Sequence, residues 1–508
     1  METRTKKSWR NISTGLLYKI LMLLMSFVIR TVFTWTLGLE YLGLNSLFTS
    51  ILSILNLAEL GFSGALVASM YEPFAKHDVE KVNALLRIYK IAYRIIGCIV
   101  LCIGVSITSI VPRMISGGYP EEINLYSVYL INLLGVVVTY FLFAYKSCIL
   151  TVAQRNDIGN VVHIILMLFQ YAIQFVILIV YKNYYLYISV LPVINILYNL
   201  ITAFIATKLY PEFICRGNVD AQDKKNIAKR ITGLALNRVS NALCNGLDSI
   251  VISMFIGLVA LGKYNLYYYV YSALNAILYV IISSTVSSVG NSMALCGKSK
   301  NMSNFQRIEF MWKWLITWCT ACLVCLYQPF IEIWQGSQAL FDTSTMIMFC
   351  VYFFSQHMIM VVQLYKDAAG LWWEDRWRAA VEGIFNLTVN IILVRWLGVV
   401  GVLLSTIITL VCISYPWQSF VLYKNYFQKP VLPYAIKQLK VMIIGFFVCA
   451  VTYLASQFIT GNIIVVFLQR VIIAAILPNL LLMIIWHNNS EYGEAKDFVK
   501  NMIQKIRH

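Results

Sequence analysis

The stretch TGLLYKILMLLMSFVIRTVFTWTL, residues 14–37, is apolar except for Lys19, Arg30 and a few hydroxyl side chains. At about 1.5 Å rise per residue, a helix of this length spans the roughly 30 Å of bilayer hydrocarbon. No water is available there to satisfy backbone groups, so such a segment must be helical, or a strand of a closed barrel. A barrel strand needs only about 10 residues, which excludes the second option. The basic segment before the stretch has the charge of a signal peptide, but no small-residue cleavage site follows it, so the stretch reads as a retained first helix.

The same pattern recurs along the 508 residues. Apolar runs cover 42–69, 88–111, 123–150, 158–181, 185–207, 232–256, 264–292, 308–332, 344–365, 377–397, 400–423, 439–460 and 463–486, predicting about fourteen transmembrane helices in all. A hydrophobic fraction of 60% with only 12% charged residues excludes a soluble globular domain of this size. The expected fold is an all-α polytopic membrane protein.

The net charge of +17 would point to nucleic acid in a soluble protein. Here the basic residues gather on alternate connections: Arg4, Lys6, Lys7 and Arg10; Lys224, Lys225, Lys229 and Arg230; Lys496, Lys500, Lys505 and Arg507. Only Arg113, Lys182, Lys263 and Arg395 fall near the opposite connections. The positive-inside rule accounts for this asymmetry, with both termini cytoplasmic, and no nucleic-acid partner is expected. Cys319, Cys322 and Cys325 form CxxCxxC inside an apolar helix, without the loop or fourth ligand that a cluster needs, so they read as small apolar residues. No metal, no cofactor and no catalytic residue is expected. No connection is long enough to fold as a catalytic domain, so the chain does not read as an enzyme.

The longest connection, 208–231, divides the first helices into two pseudo-symmetric lobes of about six helices each. The expected organisation is an N-terminal lobe, 1–215, a cytoplasmic inter-lobe loop, 216–231, a C-terminal lobe, 232–430, and an appended helix pair with a basic tail, 431–508. GLEYLG, residues 38–43, and GLVALG, residues 257–262, close the first helix of each lobe with the same GLxxLG, as an internal repeat should.

Charged residues inside a bilayer normally face a bundle interior or a wet cavity. In helix 1, Lys19, Ser26, Arg30 and Thr34 share a face, and in helix 7 so do Arg238, Asn241, Asn245 and Asp248. Helix 2 carries Asn56 and Glu59, and helix 11 carries Glu382, Asn386 and Asn390 at intervals of one turn. These stripes predict a wet space between the lobes; the competing reading of the uncharged members is hydrogen-bonding glue between helices. By depth, Glu59 is nearer to Lys19 than to Arg30, which makes Lys19 its expected partner. YNLYYYVY, residues 264–271, reads as an interfacial aromatic belt, and LWWEDRWR, residues 371–378, as a membrane-surface anchor. His357 reads as a hydrogen-bonded core histidine, with proton carriage as the alternative.

YLGLNSLFTSILSILNLAELGFSGALVASMYEPFAKHD, residues 41–78, resembles the helix 2 region of bacterial polysaccharide flippases, the Wzx-type branch of the multidrug/oligosaccharidyl-lipid/polysaccharide exporter superfamily. LDSIVIS, residues 247–253, resembles their helix 7, and residues 368–409, with Glu382, Asn386, Leu387, Gly398 and Gly401, resemble their helix 11 to 12 segment. The resemblance implies export of an undecaprenyl-diphosphate-linked oligosaccharide by alternating access across the bacterial plasma (inner) membrane, for capsule, O-antigen or similar polysaccharide. It also implies contact with membrane lipids, a proton or sodium ion as the coupling ion, and other polysaccharide-assembly proteins as partners. Arg30, Arg238 and Lys19 are the expected head-group cations. Glu59 and Asp248 are the expected coupling-ion or charge-balance sites, and Ser26, Asn56, Asn241, Asn245, Glu382 and Asn386 the expected cavity lining. The alternatives are an ion-coupled drug/cation antiporter of the same superfamily, which needs a more acidic cavity, and a membrane polysaccharide polymerase.

Overall fold

The computed structural model describes residues 4–59, 62–220 and 247–507. Arg238, Asn241, Asn245 and the basic segment 224–230 lie outside the described residues. Among the described residues there are helices and no strand. Eleven helices are long and apolar enough to cross a membrane, or twelve if one bent pair is a single span. The difference from about fourteen expected spans falls on helix 2, which is broken, and on helix 7, described only from residue 247 onward.

The chain forms two compact units, Met1–Gly262 and Lys263–His508. The first holds α1 (Arg4–Leu37), α2 (Leu39–Leu55), α3 (Phe62–Ala75), α4 (Val79–Thr108), α5 (Leu125–Phe141), α6 (Ala144–Val152), α7 (Asn156–Val176), α8 (Tyr184–Leu209) and α9 (247–255). Within it α1 packs on α7, and α5 lies between α4 and α8.

Two spans expected to be continuous are interrupted. Helix 2 stops at Leu55, turns through a 3₁₀ segment, Asn56–Glu59, and resumes as α3. Helix 4 bends by 56° between α5 and α6, where Phe143 adopts a left-handed φ of 54°. The break frees the carbonyl of Thr139, and Asn199 of α8 donates to it at 3.4 Å; one turn earlier, Asn195 of α8 also donates to the carbonyl of Gly135 at 3.3 Å, inside α5. A kink in a membrane helix survives where a neighbour's side chain satisfies the released backbone group, and Asn199 supplies that.

The two GLxxLG copies meet inside the first unit. Gly38 and Gly257 open their helices at φ values of 92° and 117°, a region that favours glycine. A Cβ on Gly43 would sit 2.0 Å from the carbonyl oxygen of Leu258, and one on Gly262 would sit 2.2 Å from that of Leu39. The second glycine of each copy thus rests on the backbone just after the first glycine of the other, a reciprocal crossing that leaves room for hydrogen only.

The remaining helices are α10 (Leu258–Leu295), which carries the unit boundary, α11 (Lys298–Gln335), α12 (Thr343–Met358), α13 (Met360–Ala368), α14 (Arg378–Leu397), α15 (Val399–Thr409), α16 (Tyr415–Leu422), α17 (Leu432–Gln457), α18 (Ile463–Trp486) and α19 (Ser490–Arg507). In the second unit α11 is central and packs on α12, α17 and α18. The terminal pair α17 and α18 is joined to it by an apolar cluster of Phe310, Val441, Val448, Leu482 and Trp486. It is also joined by a buried ion pair, Lys313 to Glu309 at 2.8 Å on α11. Tyr434 and Gln438 of α17 both donate to Glu309, and Lys313 donates to Gln438 as well. Every member of this network has a partner, which is the condition under which buried charge is tolerated.

The outward face of α18 is a ladder of exposed Ile464, Leu468, Ile472, Ile476, Leu480 and Ile484, one per turn. Such a continuous apolar stripe facing away from the protein is suited to lipid. The tyrosine run corrects a sequence expectation. Tyr264, Tyr267 and Tyr271 are buried rather than interfacial; Tyr267 donates to Gln328 at 2.8 Å, and Tyr271 stacks on Tyr352. Their spacing of three and four residues is that of a helix face, and that face is turned inward. His357 is buried too, with Nδ1 2.7 Å from the carbonyl of Phe353.

Candidate functional site

Two polar centres stand out in the first unit. The first is a cavity of about 200 Å³ between α1, α2, α5, α7 and α8. Arg30 and Ser26 of α1 line it, facing Gln170, Tyr171 and Gln174 of α7, with Asn45 and Thr49 of α2, Asn132 of α5 and Tyr187 of α8 completing the polar walls. The amphipathic pattern of α1 places Ser26 and Arg30 one turn apart on the face that packs against α7. Ser26 Oγ lies 2.8 Å from the Tyr171 hydroxyl, and Gln174 donates to the carbonyl of Tyr187 at 3.3 Å. Gln170 in turn donates to Gln174 at 3.4 Å. No acidic side chain lines the cavity among the described residues. One guanidinium, four carboxamides and several hydroxyls give it a positive charge together with many donors and acceptors.

The second centre is Glu59, at the break in helix 2. Tyr93 of α4 donates to Glu59 Oε1, and Tyr140 of α5 reaches Oε2 at 3.0 Å. The same Tyr140 hydroxyl lies 2.9 Å from Asn56 Oδ1. Behind Tyr93, Tyr89 donates to its hydroxyl at 3.1 Å, and Ser63 of α3 lies 2.8 Å from Tyr89. Glu59 thus ends a chain of hydroxyls from α3, α4 and α5 and makes no ion pair among the described residues. Tyr140 has a single hydrogen for two acceptors.

The structure therefore brings Arg30 together with Ser26, and Glu59 with Asn56, but keeps the two pairs in separate centres. Lys19 is exposed and does not meet Glu59, whose expected cationic partner is replaced by tyrosines. Asp248 is buried in α9. In the second unit Glu382 is held by Arg378 at 2.6 Å, and Asn386 donates to Thr406 of α15 at 3.2 Å. Both are buried: Asn386 ties α14 to α15, whereas Glu382 pairs with Arg378 one turn away on α14 itself. Gln170, Gln174, Tyr171 and Tyr187 escaped the sequence reading, although Gln170 and Gln174 stand one turn apart in an apolar run. The tyrosines around Glu59 come from two other helices, α4 and α5, and no single-helix periodicity registers them.

The profile of the family described as polysaccharide biosynthesis protein matches residues 8–287. The chain belongs to this family. Both polar centres lie inside the matched region. Among solved structures, the lipid II flippase MurJ in an inward closed conformation is similar with a TM-score of 0.65 at 14% identity, over 94% of this chain and 99% of that one. An inward-facing multidrug resistance MATE family transporter of the MOP superfamily is similar with a TM-score of 0.61 at 11% identity, over 79% and 94%. A mutant of the Vibrio cholerae MATE transporter VcmN reaches 0.53 at 13% identity, over 84% and 99%. No curated protein sequence matches. At these identities the structures share the fold, and the family supplies the assignment to polysaccharide biosynthesis. This family member is a multi-pass membrane protein with the fold of the flippases and transporters of that superfamily.

Proposed function

We propose that this protein flips an undecaprenyl-diphosphate-linked oligosaccharide from the cytoplasmic to the outer leaflet of the bacterial plasma membrane by alternating access, for assembly of capsule, O-antigen or a similar polysaccharide. The observation that carries the reading is the Arg30 cavity. A diphosphate and its sugars cannot cross hydrocarbon unaided. A guanidinium surrounded by carboxamides and hydroxyls offers charge-assisted bonds to phosphate and neutral bonds to sugar. An unpaired carboxylate in those walls would favour a cationic drug instead, and the lining carries none among the described residues.

Arg238 and Lys19 serve as further head-group cations in this reading, while Glu59 and Asp248 carry the coupling ion, a proton or sodium, or balance charge. Both termini are cytoplasmic, and other polysaccharide-assembly proteins act beside it. The test is a strain carrying Arg30→Glu or Arg30→Lys in place of the native chain. Arg30→Glu should leave lipid-linked oligosaccharide on the cytoplasmic leaflet and abolish surface polysaccharide, and Arg30→Lys should retain part of the flux. Normal surface polysaccharide in Arg30→Glu, with dye efflux that depends on Asp248, would replace this reading with the antiporter.

A further inference from the structure

In the second unit a separate cavity of about 330 Å³ opens between α10 and α11 and is closed by Tyr365 of α13 and Phe498 of α19. Its walls are graded along the helices. Next to the turn that joins α10 to α11 they are polar, with Ser288, Ser292, Asn304 and Arg307; a few turns deeper they are apolar, with Ile281, Met311 and Leu315. A pocket polar at the helix ends and greasy toward the middle has the profile of a lipid molecule lying along it.

Arg307 is the charged group of this pocket. Its Nη2 donates to Asn304 Oδ1 at 3.0 Å, and its guanidinium lies over the Phe498 ring at 4.4 Å. Its Nε is buried without a hydrogen-bond partner. The acids nearest in sequence and on the neighbouring elements are engaged elsewhere: Glu309 with Lys313, and Glu491 with Lys437. Glu494 and Asp497 of α19 are exposed, and no carboxylate forms an ion pair with Arg307 among the described residues. A guanidinium has five donors, and the buried Nε has no acceptor from the protein, which is costly in a half-apolar site. An anion with several acceptor oxygens completes it, and a phosphate is the group whose geometry a guanidinium fork matches.

The wall that places Phe498 over Arg307 is itself anchored. Tyr492 of α19 stacks on Trp314 of α11 at 5.8 Å and 15°, Glu491 pairs with Lys437 of α17, and Ala495 is buried in the Phe310 cluster. The end of the chain is thereby held as one side of the pocket.

We propose that this cavity binds the phosphate group of a membrane lipid on Arg307, with a hydrocarbon chain against the Ile281, Met311 and Leu315 wall. The binding does not depend on which solute the protein moves. Two sources carry the same chemistry, an anionic phospholipid of the leaflet and a polyprenyl phosphate, and the experiment separates them.

Full-length protein purified in neutral detergent is titrated with phosphatidylglycerol, phosphatidylcholine, a polyprenyl phosphate and inorganic phosphate. Binding is read by native mass spectrometry and by the shift in melting temperature. Phosphatidylglycerol or the polyprenyl phosphate, or both, should bind about tenfold more tightly than phosphatidylcholine, the scale of one charge-assisted contact. Whichever does so identifies the source. Arg307→Gln should erase the preference and Arg307→Lys should keep part of it. Ser288→Phe should block the pocket and lose lipid while the charge remains. Equal binding of the anionic lipid by the native protein and Arg307→Gln would overturn the proposal, and so would inorganic phosphate alone giving the full effect.

Discussion

The reciprocal glycine crossing yields a prediction with opposite signs at two glycines of the same broken span. Gly43→Ala would place its Cβ 2.0 Å from the Leu258 oxygen and 2.7 Å from the carbonyl carbon. An ordinary contact is about 3.4 Å, so one helix backbone must move by roughly 1.4 Å, and no rotamer change can substitute for that movement. Overpacking of this kind costs about 1–3 kcal/mol. At Gly64 a Cβ meets nothing within 4 Å. There the same substitution only gains helix propensity, up to about 1 kcal/mol. Unfolding of the detergent-purified protein should therefore show Gly43→Ala destabilised and Gly64→Ala unchanged or stabilised. Gly262→Ala should match Gly43→Ala. Because a single separation of the two helices relieves both contacts, the double variant Gly43→Ala/Gly262→Ala should cost less than the two losses added. Strict additivity, or a Gly43→Ala variant as stable as Gly64→Ala, would refute the crossing.

At Glu59, Tyr140→Phe removes the hydroxyl that serves both Glu59 and Asn56. It should destabilise by about 1–3 kcal/mol through the orphaned acceptors; a Tyr140→Phe melting curve superposing on that of the native protein would show that the hydroxyl has no such role. In the second unit, Lys313→Met leaves Glu309 without its cation and should cost about 3–5 kcal/mol, with Glu309→Gln/Lys313→Met recovering much of it; chemical unfolding of the three proteins tests the order. Asp342 caps α12, accepting from the Thr345 amide at 3.2 Å and its hydroxyl at 2.6 Å. Burial raises its pKa, but the bonds from Ser344 and Thr345 outweigh it and hold the carboxyl below the ordinary value of 3.8. Its stabilisation is therefore present above that value and lost as pH falls through the lower folded pKa, and Asp342→Ala, costing about 0.5–2 kcal/mol near neutrality, should cost nothing in strong acid.

The helix spans were legible because a bilayer admits few structures and apolar length alone reveals them. What the sequence could not report was which side of each helix met which neighbour. The YNLYYYVY run is the clearest case: tyrosine suits both an interface and a helix core, and only the packing of α10 on α11 decides that Tyr267 is inside. Arg30 and Ser26 were legible because one helix carries both. The partners of Glu59 were not, since Tyr93 and Tyr140 stand in helices that contact it only after folding. The interruptions at Asn56–Glu59 and Phe143 carry no proline, and the asparagine that makes the second one tolerable, Asn199, belongs to α8.

The Glu309 and Lys313 network also sets an order of events during synthesis. Tyr434 follows Glu309 by 125 residues. At translation rates of about 5–20 residues per second, α11 enters the bilayer roughly 10 s before its last hydrogen-bond donors exist. The lysine one turn away lets the segment insert as a neutral unit during that interval. A chain that stops before α17 therefore holds Glu309 by Lys313 alone, without the donors that Tyr434 and Gln438 bring, although most of its spans have already formed.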